Sequence, residues 1–285
     1  MAEPTTNELQ SPLSLAEKLG LETTPTKPLC HYTSQNGLIG ILKSKSMYAT
    51  DATYLNDSQE VVYAVSLAKK YFKNRPPKEL RFAMEMMNVL DQTESLVGKL
   101  PVYVASFSEE PDLLSQWRGY CPQGPGFALC FAADRMATIA SAKQWALFKC
   151  IYDEAQQIEV IKKIEEHAKS SYDPTKTSPL HVIFGLTLLS FATVLKHPKF
   201  REETEWRAIQ RVGGTPSIRA GASTLIPYID FPLTINATDS LELARLVVGP
   251  TPHANLAVRA AKALLQARSV TCPEPVSSEI PFRNW

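Results

Sequence analysis

Short apolar runs broken by polar caps recur along the chain, and the first complete unit is residues 28–60, PLCHYTSQNGLIGILKSKSMYATDATYLNDSQE. The pattern predicts a strand ending in His31-Tyr32-Thr33, a Ser34 N-cap with Asn36 and Gly37 in the first turn, and a helix with Leu38, Ile41 and Leu42 on one face. A second strand, Met47 to Thr50, follows. Side chains at a strand end, where a helix begins, face the crevice in which ligands bind in mixed sheets. His31, Tyr32 and Thr33 are therefore the first candidates for chemistry.

The same reading extends to the rest of the chain. Residues 1–27 are expected to form a disordered start, a short helix from Leu13 to Leu21 and a Thr/Pro connector. Glu60 stands three residues after Asp57, the spacing of a capping box for a helix from Val61 to Phe72 that turns Val61, Val65, Ala68 and Phe72 inward. For Asn56, Asp57 and Glu60, capping and a place in a substrate site are both open. A helix from Glu79 to about Leu100 carries Met84, Met86 and Met87 with Leu80 and Leu90, an apolar patch suited to core filling. Strands are expected at Val102–Ser108, Phe127–Phe131, Leu147–Tyr152, Thr204–Arg211, Leu225–Leu233, Leu243–Val248 and Val276–Phe282. Helices are expected at Leu113–Tyr120, Ala133–Ala142, Glu154–Ser170, Pro179–Leu195 and Asn255–Arg268. With no internal repeat and no long linker, residues 28–285 read as a single α+β domain: a mixed or antiparallel sheet flanked by helices, with helical insertions.

Composition narrows the function classes. Thirty basic against twenty-nine acidic residues give a net charge of +1, so no global field draws in nucleic acid or anionic lipid. The start of the chain lacks a basic segment followed by an apolar one, so no secretory signal is expected. The most apolar stretch, His181 to Leu195, is about fifteen residues, short of the ~20 that span a bilayer, and is expected as a buried helix rather than a membrane anchor. Five cysteines, Cys30, Cys121, Cys130, Cys150 and Cys272, contain no CxxC pair and sit mostly in apolar runs. They read as reduced core residues of a cytoplasmic protein, not as disulfides or metal ligands.

Candidate chemistry recurs at three strand ends: His31-Tyr32-Thr33, Ser106-Phe107-Ser108, and Glu203-Thr204-Glu205 with Trp206 and Arg207. If the strands are neighbours, these side chains line one cleft. Trp117, Arg118 and Tyr120 add aromatic plates and a cation suited to a planar ring and a phosphate. Glu203 and Glu205 are expected on one face of a strand, where repulsion raises one pKa unless Arg201 or Arg207 neutralises them. A hydrogen-bonded core histidine and a structural salt bridge are the plainer alternatives. His31, His167, His181, His197 and His253 are scattered with no metal-ligand spacing, so no metal site is expected. There is no GxSxG, GxxxxGK[ST] or GxGxxG motif. A Cys30 nucleophile is disfavoured because its neighbour His31 points to the opposite face of the strand.

HYTS followed by L-x-x-I-L, YLND-x-x-E, SFSE with LSQWRGY, G-x-G-F-A-L-C-F, E-x-EWR, VVGP and S-x-I-P-F-R together resemble a bacterial family known as domain of unknown function 2971, from about Pro28 to Arg283. The His-x-Thr strand, short helix and second strand also resemble the first NAD-contacting unit of ADP-ribosyltransferases of the poly-ADP-ribose polymerase type and of RNA 2'-phosphotransferases. The Ser-x-Ser and Glu-x-Glu strands are similar to the later motifs of arginine-specific transferases. This resemblance implies an ADP-ribosyltransferase-like core that uses NAD as a substrate. His31 and Thr33 would hold a ribose, Ser106 and Ser108 would support the pocket, and Glu205 would be the catalytic glutamate with Glu203 assisting. Arg118 or Arg207 would hold the pyrophosphate, and Tyr32, Tyr54, Trp117 or Tyr120 would stack on nicotinamide, with Asn56 a further contact. The chain departs from these families in joining a His start to a Glu-x-Glu end. It also places nearly a hundred residues between Ser108 and Glu205, so insertions must keep those strands adjacent. The acceptor would be a protein side chain, a nucleic-acid base or water. Two other classes remain open: a metal-dependent nuclease or phosphotransferase using Asp57, Glu60 and Glu205, and a non-catalytic binding protein in a bacterial defence or regulatory pathway.

Overall fold

The first strand–helix–strand unit forms as its residues dictate. The Ser34 side chain accepts a hydrogen bond from the Gly37 amide, which starts a helix that buries Leu38, Ile41 and Leu42. A computed structural model of the chain describes residues 16, 18–55, 60–76, 79–96, 101–121, 126–171, 180–211, 215–221 and 223–281. In chain order the elements are β1 (Leu29–Thr33), α1 (Gln35–Ser44), β2 (Ser46–Asp51), α2 (Glu60–Lys73), α3 (Leu80–Leu96), β3 (Tyr103–Ser108), α4 (Leu114–Tyr120), β4 (Phe127–Phe131), α5 (Ala133–Ala142) and β5 (Ala146–Lys149). They continue with α6 (Glu154–Ser171), α7 (Leu180–Ala192), β6 (Glu205–Gln210), β7 (Ser217–Ala220), β8 (Leu225–Pro232), β9 (Arg245–Val248), α8 (Ala254–Ala267) and β10 (Val276–Ser277). Short 3-10 turns cover Ala52–Tyr54 and Pro198–Glu203.

The chain divides into two compact units: one from residues 1–23, 51–102 and 148–201, the other from 24–50, 103–147 and 202–285. The second holds the sheet, with strands in the order β10-β9-β4-β1-β3-β2-β8-β7 and a branch in which β6 pairs with β3 and β5. The pairing of β9 with β10 is parallel, whereas β1 with β3 and β4, β2 with β8, β3 with β6, β4 with β9 and β7 with β8 are antiparallel. Side chains alternate between its faces. Leu29, Phe107, Leu129, Phe131, Trp206 and Leu246 turn to one face and pack with Leu38, Ile41, Met136, Ile139 and Leu265 from the covering helices. Tyr32, Ala128 and Val247 turn to the other, where Trp117 of α4 covers them.

In the helical unit, α2 turns Val61, Val65, Ala68 and Phe72 inward, as its spacing requires. Phe184, Leu188 and Phe191 make α7 a buried core helix. Among the described residues, no helix is long and apolar enough to cross a membrane. A buried carboxylate, Glu165, is surrounded by donors: Tyr71 hydroxyl at 2.8 Å, the Arg75 guanidinium and the Lys169 ammonium.

Several expectations are corrected. Met86 is buried but Met84 is exposed, so the methionine patch is only partly core. β7 was not anticipated, because a four-residue edge strand exposed on both faces shows no alternation. The last strand is two residues long, not seven. Cys30 and Cys130, expected as thiols, face each other across β1 and β4 and form a disulfide. Cys121 and Cys150 are buried cysteines outside any disulfide, and Cys272 is a partly exposed one. The proposed capping Asp57 and most of the leading segment, residues 1–15, lie outside the described residues.

Candidate active site at the fork between two strands

β3 is the centre of the site. On one side it pairs with β6 along its whole length, placing Ser106 opposite Arg207 and Ser108 opposite Glu205. The insertions between β3 and β6 therefore leave these strands adjacent, as the spacing of the motifs required. On its other side β3 registers with β1 at Cys30 and Ser108. Beyond that pair the strands part, and the His31 Nδ1–H donates to the Ser106 carbonyl at 3.0 Å. The imidazole thus satisfies a carbonyl that a ladder bond would otherwise take. A pocket of about 30 Å³ lies at this fork, lined by Cys30, His31, Tyr32, Ser106, Phe107, Ser108, Gln116, Tyr120, Glu203 and Glu205.

The charge here is buried and paired. Glu205 is 5% exposed and Arg207 2%, and the guanidinium meets the carboxylate with two hydrogen bonds, Nε to Oε1 at 2.8 Å and Nη2 to Oε2 at 3.1 Å. This fork-on-fork geometry fixes both side chains. The expected pair of carboxylates on one strand face is corrected. Glu203 ends a 3-10 turn, and Thr204 has φ +40°, a strained value for a β-branched residue, so the strand starts only at Glu205. Ser108 ties this turn down: its hydroxyl donates to the Glu203 carbonyl at 2.7 Å and accepts from the Glu110 amide at 3.0 Å. The Thr204 hydroxyl is buried without a partner among the described residues.

By strand alternation His31 belongs to the face that carries Phe107, with ring centroids 6.2 Å apart, and it reaches the pocket through the fork. Burial holds its pKa below the ordinary value, with the Ser106 carbonyl acting in the opposite sense. With Nδ1–H committed to that carbonyl, the neutral ring leaves its Nε2 lone pair as an acceptor.

The remaining candidates divide. Tyr32 donates to the Glu110 carbonyl at 2.6 Å and accepts from the Leu113 amide at 2.9 Å, and burial drives its pKa up. It meets Trp117 edge-to-face at 4.6 Å, and Trp117 donates Nε1–H to Asp112 at 2.7 Å. These two rings, expected as plates for nicotinamide, are packed on each other. Gly249 lies so close beneath Trp117 that a Cβ there would come within 2.9 Å of the indole. Thr33 does not line the pocket; its hydroxyl packs on the first turn of α1, where a Cβ on Gly37 would come within 1.9 Å of it. Arg207, expected to hold a pyrophosphate, is committed to Glu205. Arg118 is exposed and outside the pocket lining, whereas Tyr120 is exposed at its rim. Tyr54 belongs to the helical unit, as does Glu60, while Asn56 and Asp57 lie outside the described residues. Among the described residues, no group of three or more His, Cys, Asp or Glu side chains is placed to hold a metal ion.

Gln116 was missed. It is 7% exposed and lines the pocket, and its side-chain amide makes no hydrogen bond among the described residues. The signal was present: Leu113, Gln116, Trp117 and Tyr120 follow i, i+3, i+4, i+7, so an amide stands on the inner face of a helix. A second concavity, about 390 Å³ in the helical unit, is lined by Lys70, Tyr71, Asn74, Arg75 and Glu154 among others, and its charges are already paired.

Residues 116–208 match the model of a family described as Protein of unknown function (DUF2971), which supports the family resemblance read from the motifs. The match begins at Gln116 on α4 and ends within β6, so it contains both Gln116 and the Glu205–Arg207 pair. No curated protein and no solved structure matches the chain.

Proposed function

We propose that the pocket at the β1–β3 fork cleaves the nicotinamide–ribose bond of NAD, in the manner of ADP-ribosyltransferases, on an ADP-ribosyltransferase-like core. One observation carries this reading: His31, Ser106 and Glu205, delivered by three strands far apart in sequence, line one pocket. Departure of nicotinamide builds positive charge on the ribose, and a fixed carboxylate close to that sugar stabilises the oxocarbenium-like state. Glu205 supplies it, oriented by Arg207. The Nε2 lone pair of neutral His31 suits a hydroxyl group of a ribose, and the Ser106 hydroxyl supports the pocket. Ser108 positions the turn that carries Glu203 rather than meeting the substrate.

Size sets a condition on this reading. Ligand pockets hold roughly 300–1,000 Å³, so the pocket, at about 30 Å³, takes only the end of a substrate, and the rest of NAD must lie across its mouth or displace α4. The acceptor is a side chain, a base or water. Incubating the protein with NAD and following free nicotinamide, with and without cell lysate, tests the proposal. Release without lysate identifies water as acceptor, and release that needs lysate points to a transferred ADP-ribose. An absence of release, together with no rise in melting temperature at saturating NAD, overturns the reading.

A further inference from the structure

An amide side chain that lines a pocket and meets no protein partner is open to a ligand or a water. The Gln116 side chain, 7% exposed, lines the fork pocket, and its amide makes no hydrogen bond among the described residues. The Ser106 hydroxyl also makes no hydrogen bond among the described residues. The space they share, about 30 Å³, admits roughly two water-sized atoms. That is the size of the oxygen and nitrogen of a terminal carboxamide. A glutamine amide presents an acceptor and donors in one plane, so its complement is another primary amide, joined by two reciprocal hydrogen bonds. A carboxylate is the wrong group here: one of its oxygens would face the Gln116 carbonyl oxygen, and Glu203 and Glu205 line the same space. Tyr120, 45% exposed at the rim, offers an aromatic face to a ring attached to that carboxamide.

We propose that Gln116 is the specificity-determining residue of this pocket, holding the carboxamide of nicotinamide by a paired hydrogen bond while the ring lies against Tyr120. The assignment rests on the NAD reading above and names the end of NAD that enters the pocket. It makes the protein selective for the amide over the acid: nicotinamide and NAD bind, and nicotinate is rejected. Sites built to hydrogen-bond a polar group discriminate strongly against analogues that leave their groups unpaired.

Calorimetric titration of NAD, nicotinamide and nicotinate into wild type, Gln116→Leu and Gln116→Glu tests it. Wild type is expected to bind nicotinamide at least about tenfold more tightly than nicotinate, and Gln116→Leu to lose that preference and about tenfold in nicotinamide affinity, the scale of one to two neutral hydrogen bonds. Gln116→Glu, whose carboxylate still accepts from the amide NH2, is expected to retain weakened nicotinamide binding and to reject nicotinate further. Should Gln116→Leu not fold, Gln116→Glu decides: nicotinate bound as well as by wild type overturns the assignment. Wild type that binds NAD but takes nicotinamide and nicotinate equally also overturns it and leaves the NAD reading standing. Wild type that binds none of the three removes both.

Discussion

Two buried carboxylates of this molecule differ in what surrounds them. Glu165, in the helical unit, is enclosed by Tyr71, Arg75 and Lys169, so donors surround it and the network has no need of a ligand. Glu205, in the sheet unit, is also paired, by Arg207, but it lines a pocket with an amide and a hydroxyl that meet no protein partner among the described residues. A satisfied network rigidifies a core, whereas polar groups left open beside a fixed charge mark a place prepared for something else. Burial and pairing alone do not distinguish the two. What distinguishes them is the state of their neighbours.

The comparison can be broken by separating the two units experimentally. Trp117, Trp145 and Trp206, the tryptophans among the described residues, belong to the sheet unit, so their fluorescence follows its unfolding, while far-UV circular dichroism also follows the helices. The largest effect is expected from Arg207→Ala, which strands a buried carboxylate: about 3–5 kcal/mol lost in the fluorescence transition. Replacing the pair together, Arg207→Met with Glu205→Leu, is expected to recover most of that loss. Removing the Cys30–Cys130 bond by Cys30→Ala with Cys130→Ala comes next, at about 2–4 kcal/mol in the same transition, equal to the effect of reducing wild type. Reduction that leaves wild type unchanged would show that the bond is not formed in solution.

Glu165→Gln is expected to cost about 1–3 kcal/mol, seen in circular dichroism, with nicotinamide release unaffected. The smallest effect concerns pH. Burial holds His31 below its ordinary value near 6.5, so below that pH the unfolded chain binds more protons than the folded one. Stability is then complete above about pH 6.5 and declines as pH falls toward the folded-state value, by at most about 1.4 kcal/mol per pH unit. His31→Gln is expected to flatten this decline in the fluorescence transition. His167, lowered by its own burial and by Lys18, keeps its contribution in the helical unit.

Local signals were legible in the sequence, and long-range ones were legible only in part. The Ser34 cap and the inner faces of α1 and α2 followed from spacing alone because each depends on residues within a few positions. A pocket shared by His31, Ser106 and Glu205 stayed a conjecture at the level of sequence, since it depends on β1, β3 and β6 lying side by side. The partner of Glu205 was among the two arginines considered, but the place of Glu203 was misread. One left-handed residue, Thr204, separates it from the strand, and a Glu-Thr-Glu-Trp run gives no sign of it. The disulfide was hidden for a similar reason: it joins residues 100 positions apart through a strand register that composition does not encode. Tyr32 and Trp117 look the same in sequence whether they stack on a ligand or on each other.

The central claim is that the fork pocket does chemistry and the Glu165 network does not, and one assay addresses it directly. Nicotinamide release from NAD is measured for wild type, Glu205→Gln and Glu165→Gln, each first shown to retain its fluorescence transition. The account predicts release by wild type and by Glu165→Gln, and a loss of at least about a hundredfold for Glu205→Gln, the scale of removing a preorganised charge from a transition state. Release by Glu205→Gln at the wild-type rate, or no release by any of the three, would contradict it.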